Sequence, residues 1–167
     1  MRPDISKILY ASDISKGSRP AFRHAVKLAH QFDAELTYIH VLETLPSSSK
    51  DLTSRGYFSD TDLAKRESAA LEFLDKAVRE RIKNFFDTEM SGLSISVPVS
   101  FRIESGSVAR SILSVADELG ASMIVMGARK QSVVERLLLG STSNKVLHHA
   151  KMPVLIVPLT DQDSEEY

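Results

Sequence analysis

Five short runs of strand-forming residues, separated by stretches of helical periodicity, constrain this 167-residue chain more than any other feature. They are KILYA from Lys7 to Ala11, ELTYIHVL from Glu35 to Leu42, SVPVSFRI from Ser96 to Ile103, SMIVM from Ser122 to Met126 and PVLIV from Pro153 to Val157. SMIVM and PVLIV are almost continuously apolar, as strands covered on both faces should be. Ser18 and Pro20 mark a helix start, after which Phe22, Ala25, Val26, Ala29 and Phe32 fall on one face. Ser107 opens another helix, with Val108, Ile112, Val115 and Leu119 as its apolar stripe and Gly120 as its stop. Such regular alternation predicts an α/β fold built on a parallel sheet with right-handed crossovers.

The second crossover is unusually long. Thr44 to Ser59 is polar, with Ser47-Ser48-Ser49 and Gly56, and reads as a mobile loop. A helix from about Asp60 to Met90 follows, with Leu63, Leu71, Leu74, Val78, Ile82 and Phe85 expected inward. Glu72–Lys76 and Asp75–Arg79 are i,i+4 pairs on its outer side. A loop of that length in a compact domain either covers a site or is disordered. The acidic end, TDQDSEEY, reads as unstructured, so the expected organisation is one domain over residues 1–160 and a tail over 161–167. With 43% hydrophobic residues, a chain of this size buries a core without disulfide or metal support. It has no cysteine, which fits a reducing compartment and excludes thiolate chemistry. No signal-like segment or membrane-length apolar run occurs, and the expectation is a soluble cytoplasmic protein that does not engage membrane. A net charge of −1 gives no basic field to attract nucleic acid.

Chemistry concentrates in SMIVMGARKQSVVERLLLGSTS, from Ser122 to Ser143. Gly127 leaves a strand and Gly140 opens a helix, an arrangement that lets backbone N–H groups and a helix N-terminus close on a phosphate. On spacing alone, glycines that simply turn the chain fit equally well. Open parallel sheets bind ligands beyond the carboxyl ends of their strands. That rule selects Asp13 after the first strand, Val41 near the end of the second, and the Gly127 loop after the fourth. Asp13 would accept hydrogen bonds from ribose hydroxyls or a base, or would cap the turn before Ser15. Adjacent His148 and His149 diverge on a helix and make a poor metal site. His40, in mid-strand, reads as a satisfied core histidine. No acid–base dyad or nucleophile constellation is evident, and no Walker loop GxxxxGK[ST] is present.

These residues together resemble the universal stress protein family from Ile8 to Pro158. The matching pieces are ILYASDIS with Asp13, the strand YIHV, Gly106 before the third helix, and RLLLGSTSNKVLHHAKMPVLIVP. The resemblance implies an open, twisted, five-stranded parallel sheet of order 3-2-1-4-5, with helices on both faces. Nucleotide-binding members carry glycine, two residues, glycine, nine residues, glycine, then serine or threonine. Gly127, Gly140 and Ser141 match that pattern, while Lys130 replaces the middle glycine. By the resemblance, Asp13 would hold ribose or base, and Val41 would meet adenine through its backbone. Gly127, Gly140, Ser141 and Thr142 would surround the phosphates of ATP, with or without magnesium, helped by Arg129, Lys130 and Arg136. It also implies a homodimer through Pro153 to Val157, which would cover an apolar edge, and a role as stress-response regulator. Two alternatives stand beside this reading. Lys130 would close the loop and leave a dimeric interaction module without nucleotide, or the protein would hydrolyse ATP slowly.

Overall fold

A computed structural model describes residues 4–13, 18–43, 60–91, 97–129 and 140–159. The expected loop from Thr44 to Ser59, Lys130, Arg136 and the acidic tail lie outside them. By internal packing the chain divides into two compact units, residues 44–88 and all the rest.

The larger unit holds the sheet. Its strands are β1 (Lys7–Ala11), β2 (Glu35–Leu42), β3 (Val99–Ser105), β4 (Met123–Arg129) and β5 (Val154–Leu159). They lie in the order β3-β2-β1-β4-β5, and every pairing is parallel. The helices are α1 (Arg19–Phe32), α2 (Asp60–Ser91), α3 (Val108–Leu119) and α4 (Ser141–His149). This is the expected α/β architecture and strand order.

Burial on both faces explains the apolar runs. Ile8 through Ala11 are all buried, and side chains alternate between two covers. On one face Leu9, Ile39, Ile124 and Met126 pack with Ile112, Val115 and Ala116 of α3 and Val146 of α4. On the other, Tyr10 and Tyr38 meet Phe22 of α1, with ring centroids 5.2 to 6.4 Å apart. Each such contact adds about 0.5–1.5 kcal/mol beyond its buried area.

Local chemistry sets the helix ends. Ser18 stands at the N-cap position of α1 without a side-chain capping bond, and Pro20 lies in the first turn, where a missing N–H costs nothing. Asp33 ends α1 in the left-handed region (φ 53°), which its short polar side chain tolerates. Phe32 departs from its predicted face and is 42% exposed, because it ends the last turn where the chain reverses. Ser107 and Gly120 (φ 61°) bracket α3 as expected. The last turn of α2 brings in Glu89, a buried carboxylate 3.0 Å from Arg19 Nε and 2.8 Å from Arg23 Nε. Elsewhere on α2, the Thr88 hydroxyl donates to the Asn84 carbonyl at 2.8 Å. Leu63, Leu71, Leu74, Glu72 and Asp75 have side chains outside the described set.

Three strands, β3, β4 and β5, have ends that differ from the sequence reading. β3 begins at Val99, since Pro98 offers a carbonyl to Leu36 N–H (3.1 Å) but has no N–H to give the ladder. β4 begins at Met123 and does not stop at Gly127; it runs through Gly127 and Ala128 to Arg129. Those three residues pair with Val157, Pro158 and Leu159, so β5 also runs two residues further than predicted. Gly127 is therefore a strand residue and not part of a loop after the strand.

Candidate functional site

The carboxyl ends of β1, β2 and β4 open into one cavity of about 360 Å³. Asp13, Val41, Gly127 and Thr142, four of the residues singled out from sequence, line it together. Ser141 and Gly140 stand at the start of α4, next to Thr142. Arg129 lies two residues beyond Gly127, at the end of β4.

Val41 owes its place to unequal strand lengths. The last β1–β2 pairing is Ala11 with Ile39, where Ser12 N–H donates to the Ile39 carbonyl at 3.1 Å. Successive residues of a parallel strand turn their N–H and C=O to alternate neighbours. Ile39 faces β1, Leu42 faces β3 through the bond from Gly106 N–H (2.9 Å), and Val41 therefore faces β1 again. At that level β1 has already ended, so the Val41 N–H and carbonyl turn toward the side where the cavity lies. The Val41 side chain is buried in the core with Ile39, which leaves its main chain as the part a ligand could meet. Asp13, exposed, sits two residues past the end of β1 on the same rim.

The two glycines of the expected phosphate site behave differently. At Gly140 (φ −50°, ψ 155°) an added Cβ would meet no atom of the described structure within 4 Å. The local backbone is one that any residue adopts, so nothing described about the fold demands glycine there. At Gly127 an added Cβ would lie 2.5 Å from Leu159 Cδ1 and 3.0 Å from its Cγ. A side chain at 127 would therefore require the Leu159 side chain to shift.

Several wall residues were not foreseen. His40 is half-buried and lines the cavity, in place of the expected core position. Its Nδ1 lies 2.9 Å from the Ser12 carbonyl. A carbonyl only accepts, so Nδ1 carries the proton and Nε2 is the acceptor of the neutral ring. Tyr10 donates its hydroxyl to the Ser18 carbonyl at 3.1 Å, tying the end of β1 to the start of α1. Burial pushes the Tyr10 phenol up to about 12, so it stays a neutral donor at ordinary pH. Ser12, Ser18, Glu43 and Ser143 complete the polar wall, while Ile112, Met126 and Leu159 are apolar. A position one or two residues past a strand end was the available signal for Ser12 and Glu43. The sequence marked Ser18 only as a helix start and Ser143 only as the end of the glycine-bearing stretch, and nothing in it marked Leu159. Among the described residues, no three His, Asp or Glu side chains gather as a metal site would gather them.

A family model described as the universal stress protein family matches residues 5–158. The chain belongs to that family. Among curated relatives, universal stress protein YxiE of Bacillus subtilis is 31% identical over 152 residues, covering 91% of this chain and 98% of its own. Among solved structures, the universal stress protein UspA from Lactobacillus plantarum superposes with a TM-score of 0.66 at 25% identity, covering 93% and 99% of the two chains. Two further universal stress protein structures share the fold and were solved with ligands. One is in complex with cAMP (TM-score 0.55, 18% identity, 93% and 98% coverage). The other, from Archaeoglobus fulgidus, is in complex with dAMP (TM-score 0.50, 22% identity, 92% and 98% coverage). Among the described residues, no helix is long and apolar enough to cross a membrane.

Proposed function

We propose that this universal stress protein binds an adenine nucleotide, ATP or a relative of it, and acts as a dimeric stress-response regulator. The observation that carries the reading is the Val41 main chain, turned past the end of β1 with a donor and an acceptor side by side. An adenine edge offers the complementary pair. Asp13 on the same rim suits ribose hydroxyls, and Thr142 in the first turn of α4 suits a phosphate near a helix N-terminus. The solved relatives with cAMP and dAMP support an adenine nucleotide as the ligand class. The dimer would form through β5, an edge strand whose Val154, Leu155 and Ile156 are only half-buried in one copy.

Gly140 provides the test. No described atom lies within 4 Å of a Cβ added there, so Gly140→Val should keep the fold while filling the approach to the α4 N-terminus. A nucleotide at a hundred times its Kd stabilises the native state by about 2.7 kcal/mol. For a chain of this size that raises Tm by roughly 5–10 °C. The shift should be present in the native protein with ATP or AMP and absent in Gly140→Val. An undiminished shift in the variant would show that the ligand sits elsewhere. Mass spectrometry of small molecules released from the purified protein would identify the nucleotide.

A further inference from the structure

His40 stands where β2 outruns β1. The Ala11–Ile39 pairing puts the Ile39 N–H on the Tyr10 carbonyl, and the Ser12 N–H then donates to the Ile39 carbonyl at 3.1 Å. In extended chain the N–H and C=O of one residue point to the same side, so the Ser12 carbonyl also faces β2. Two residues beyond Ile39, the next donor in the ladder would be the Val41 N–H, and its acceptor the Ser12 carbonyl. Among the described residues that main-chain bond is not made. The Ser12 carbonyl accepts instead from His40 Nδ1 at 2.9 Å. Ser12 has left the strand, and alternation brings the ring to it: Ile39 and Val41 point into the core beneath α3, so His40 points to the opposite face. There the half-buried imidazole forms part of the cavity wall.

We propose that His40 is a positioning residue for base recognition: by donating to the Ser12 carbonyl it takes the place of the Val41 N–H in the β1–β2 ladder and keeps that N–H available to a ligand. The ligand part rests on the adenine-nucleotide reading above. A main-chain carbonyl in a half-buried position draws a donor. Without the imidazole, the donor that register offers the Ser12 carbonyl is the Val41 N–H. The ladder would then extend by one bond, and the edge that Val41 presents to an adenine would keep its acceptor and lose its donor. One neutral hydrogen bond of this kind corresponds to roughly tenfold in affinity. The loss falls on the base, so adenosine and ATP should lose by the same factor.

Amide hydrogen exchange, followed residue by residue by NMR in the ligand-free protein, reads the ladder. The Val41 N–H of the native protein should exchange faster than the paired N–H of Ile39, and in His40→Leu it should slow by roughly tenfold as the Ser12 carbonyl takes it. His40→Asn carries an amide nitrogen at the Nδ1 position and should exchange as the native protein does. His40→Gln carries the same amide one bond further out and should behave as His40→Leu, so the reading survives if the leucine variant does not fold. Titration calorimetry with adenosine and ATP should show both weakened about tenfold in His40→Leu and His40→Gln, and restored in His40→Asn. Val41 exchange that does not slow in a folded leucine or glutamine variant would overturn the proposal, as would a loss of binding that asparagine does not restore. If the native protein binds neither adenosine nor ATP, the adenine-nucleotide reading fails separately. The exchange rates still decide whether His40 holds the Val41 N–H out of the ladder.

Discussion

Replacing Glu89 by alanine should destabilise the protein far more than any single surface charge. Its carboxylate is 3% exposed and lies 3.0 Å from Arg19 Nε and 2.8 Å from Arg23 Nε. Glu89→Ala leaves both guanidiniums at the start of α1 without that partner. Breaking a fully buried pair costs about 3–5 kcal/mol, which is an upper bound here because both arginines reach solvent. Arg19 is 23% exposed and meets the carboxylate as an ion pair rather than a hydrogen bond, so its share lies between the roughly 0.2–1 kcal/mol of a surface pair and that bound. Arg23 is 54% exposed, and its share is discounted to the roughly 0.2–1 kcal/mol of a surface pair. The expected loss is about 2–4 kcal/mol, or a Tm fall of roughly 5–15 °C for a chain of this length. Differential scanning calorimetry of Glu89→Ala, Arg19→Ala, Arg23→Ala and the Glu89–Arg19 double variant measures it. Arg23→Ala should be the mildest, and the double variant should lose less than the two single losses combined. An unchanged Tm in Glu89→Ala, or additivity with Arg19→Ala, would refute the reasoning.

Tyr10 gives a pH signature. Its phenol titrates near 10 when unfolded and about 12 when buried, so its stabilising effect is complete below pH 10 and is lost as pH rises toward 12. Tyr10→Phe should cost about 0.5–1.5 kcal/mol at neutral pH through the lost bond to Ser18, and should flatten the decline between pH 10 and 12. Urea midpoints at several pH values report both. Lys130 separates the two readings of the phosphate loop: Lys130→Ala should weaken ATP about tenfold to a hundredfold, and adenosine little, if the lysine supplies charge. Tighter ATP binding in both Lys130→Ala and Lys130→Gly would mean instead that the lysine obstructs the loop. For the dimer, Leu155→Lys should give monomer in sedimentation because a charge enters the proposed paired edge, and an undisturbed dimer mass would exclude β5 as the interface.

The sheet was legible because its central strands are covered on both sides. Ile8-Leu9-Tyr10-Ala11 and Ile124-Val125-Met126 must be apolar at every position, and the helix stop at Gly120 follows from local conformation. Strand ends were less legible. Glycine commonly punctuates a strand, but Gly127 continues β4 because β5 holds the ladder, and Leu159 packs into the space its missing side chain leaves. Phe32 fits the apolar period of α1 and is nevertheless exposed, since periodicity says nothing of where the core stops beneath a helix. One cavity gathers Asp13, Val41, Gly127 and Thr142. Asp13, Val41 and the Gly127 loop were selected by the rule for carboxyl ends of parallel strands, and Thr142 by the helix start after Gly140 and the family resemblance. His40 was not, because its exposure depends on β1 ending one residue short of it. That is a relation between strands far apart in the chain, invisible in either one.

The shortness of β1 has a consequence for how such a site ages. Side chains are what mutation changes, whereas the N–H and C=O of residue 41 persist under any substitution except proline. What the fold must keep is a difference in length between two neighbouring strands and an apolar residue to anchor position 41 in the core. Exchanging Val41 for isoleucine or leucine alters packing and leaves the hydrogen-bonding edge as it was. Under the proposed function, recognition of a base written in main-chain atoms would thus survive extensive divergence around it. On the same reading, the surrounding side-chain walls other than His40 would be the part free to drift and to change which relatives of the ligand are accepted.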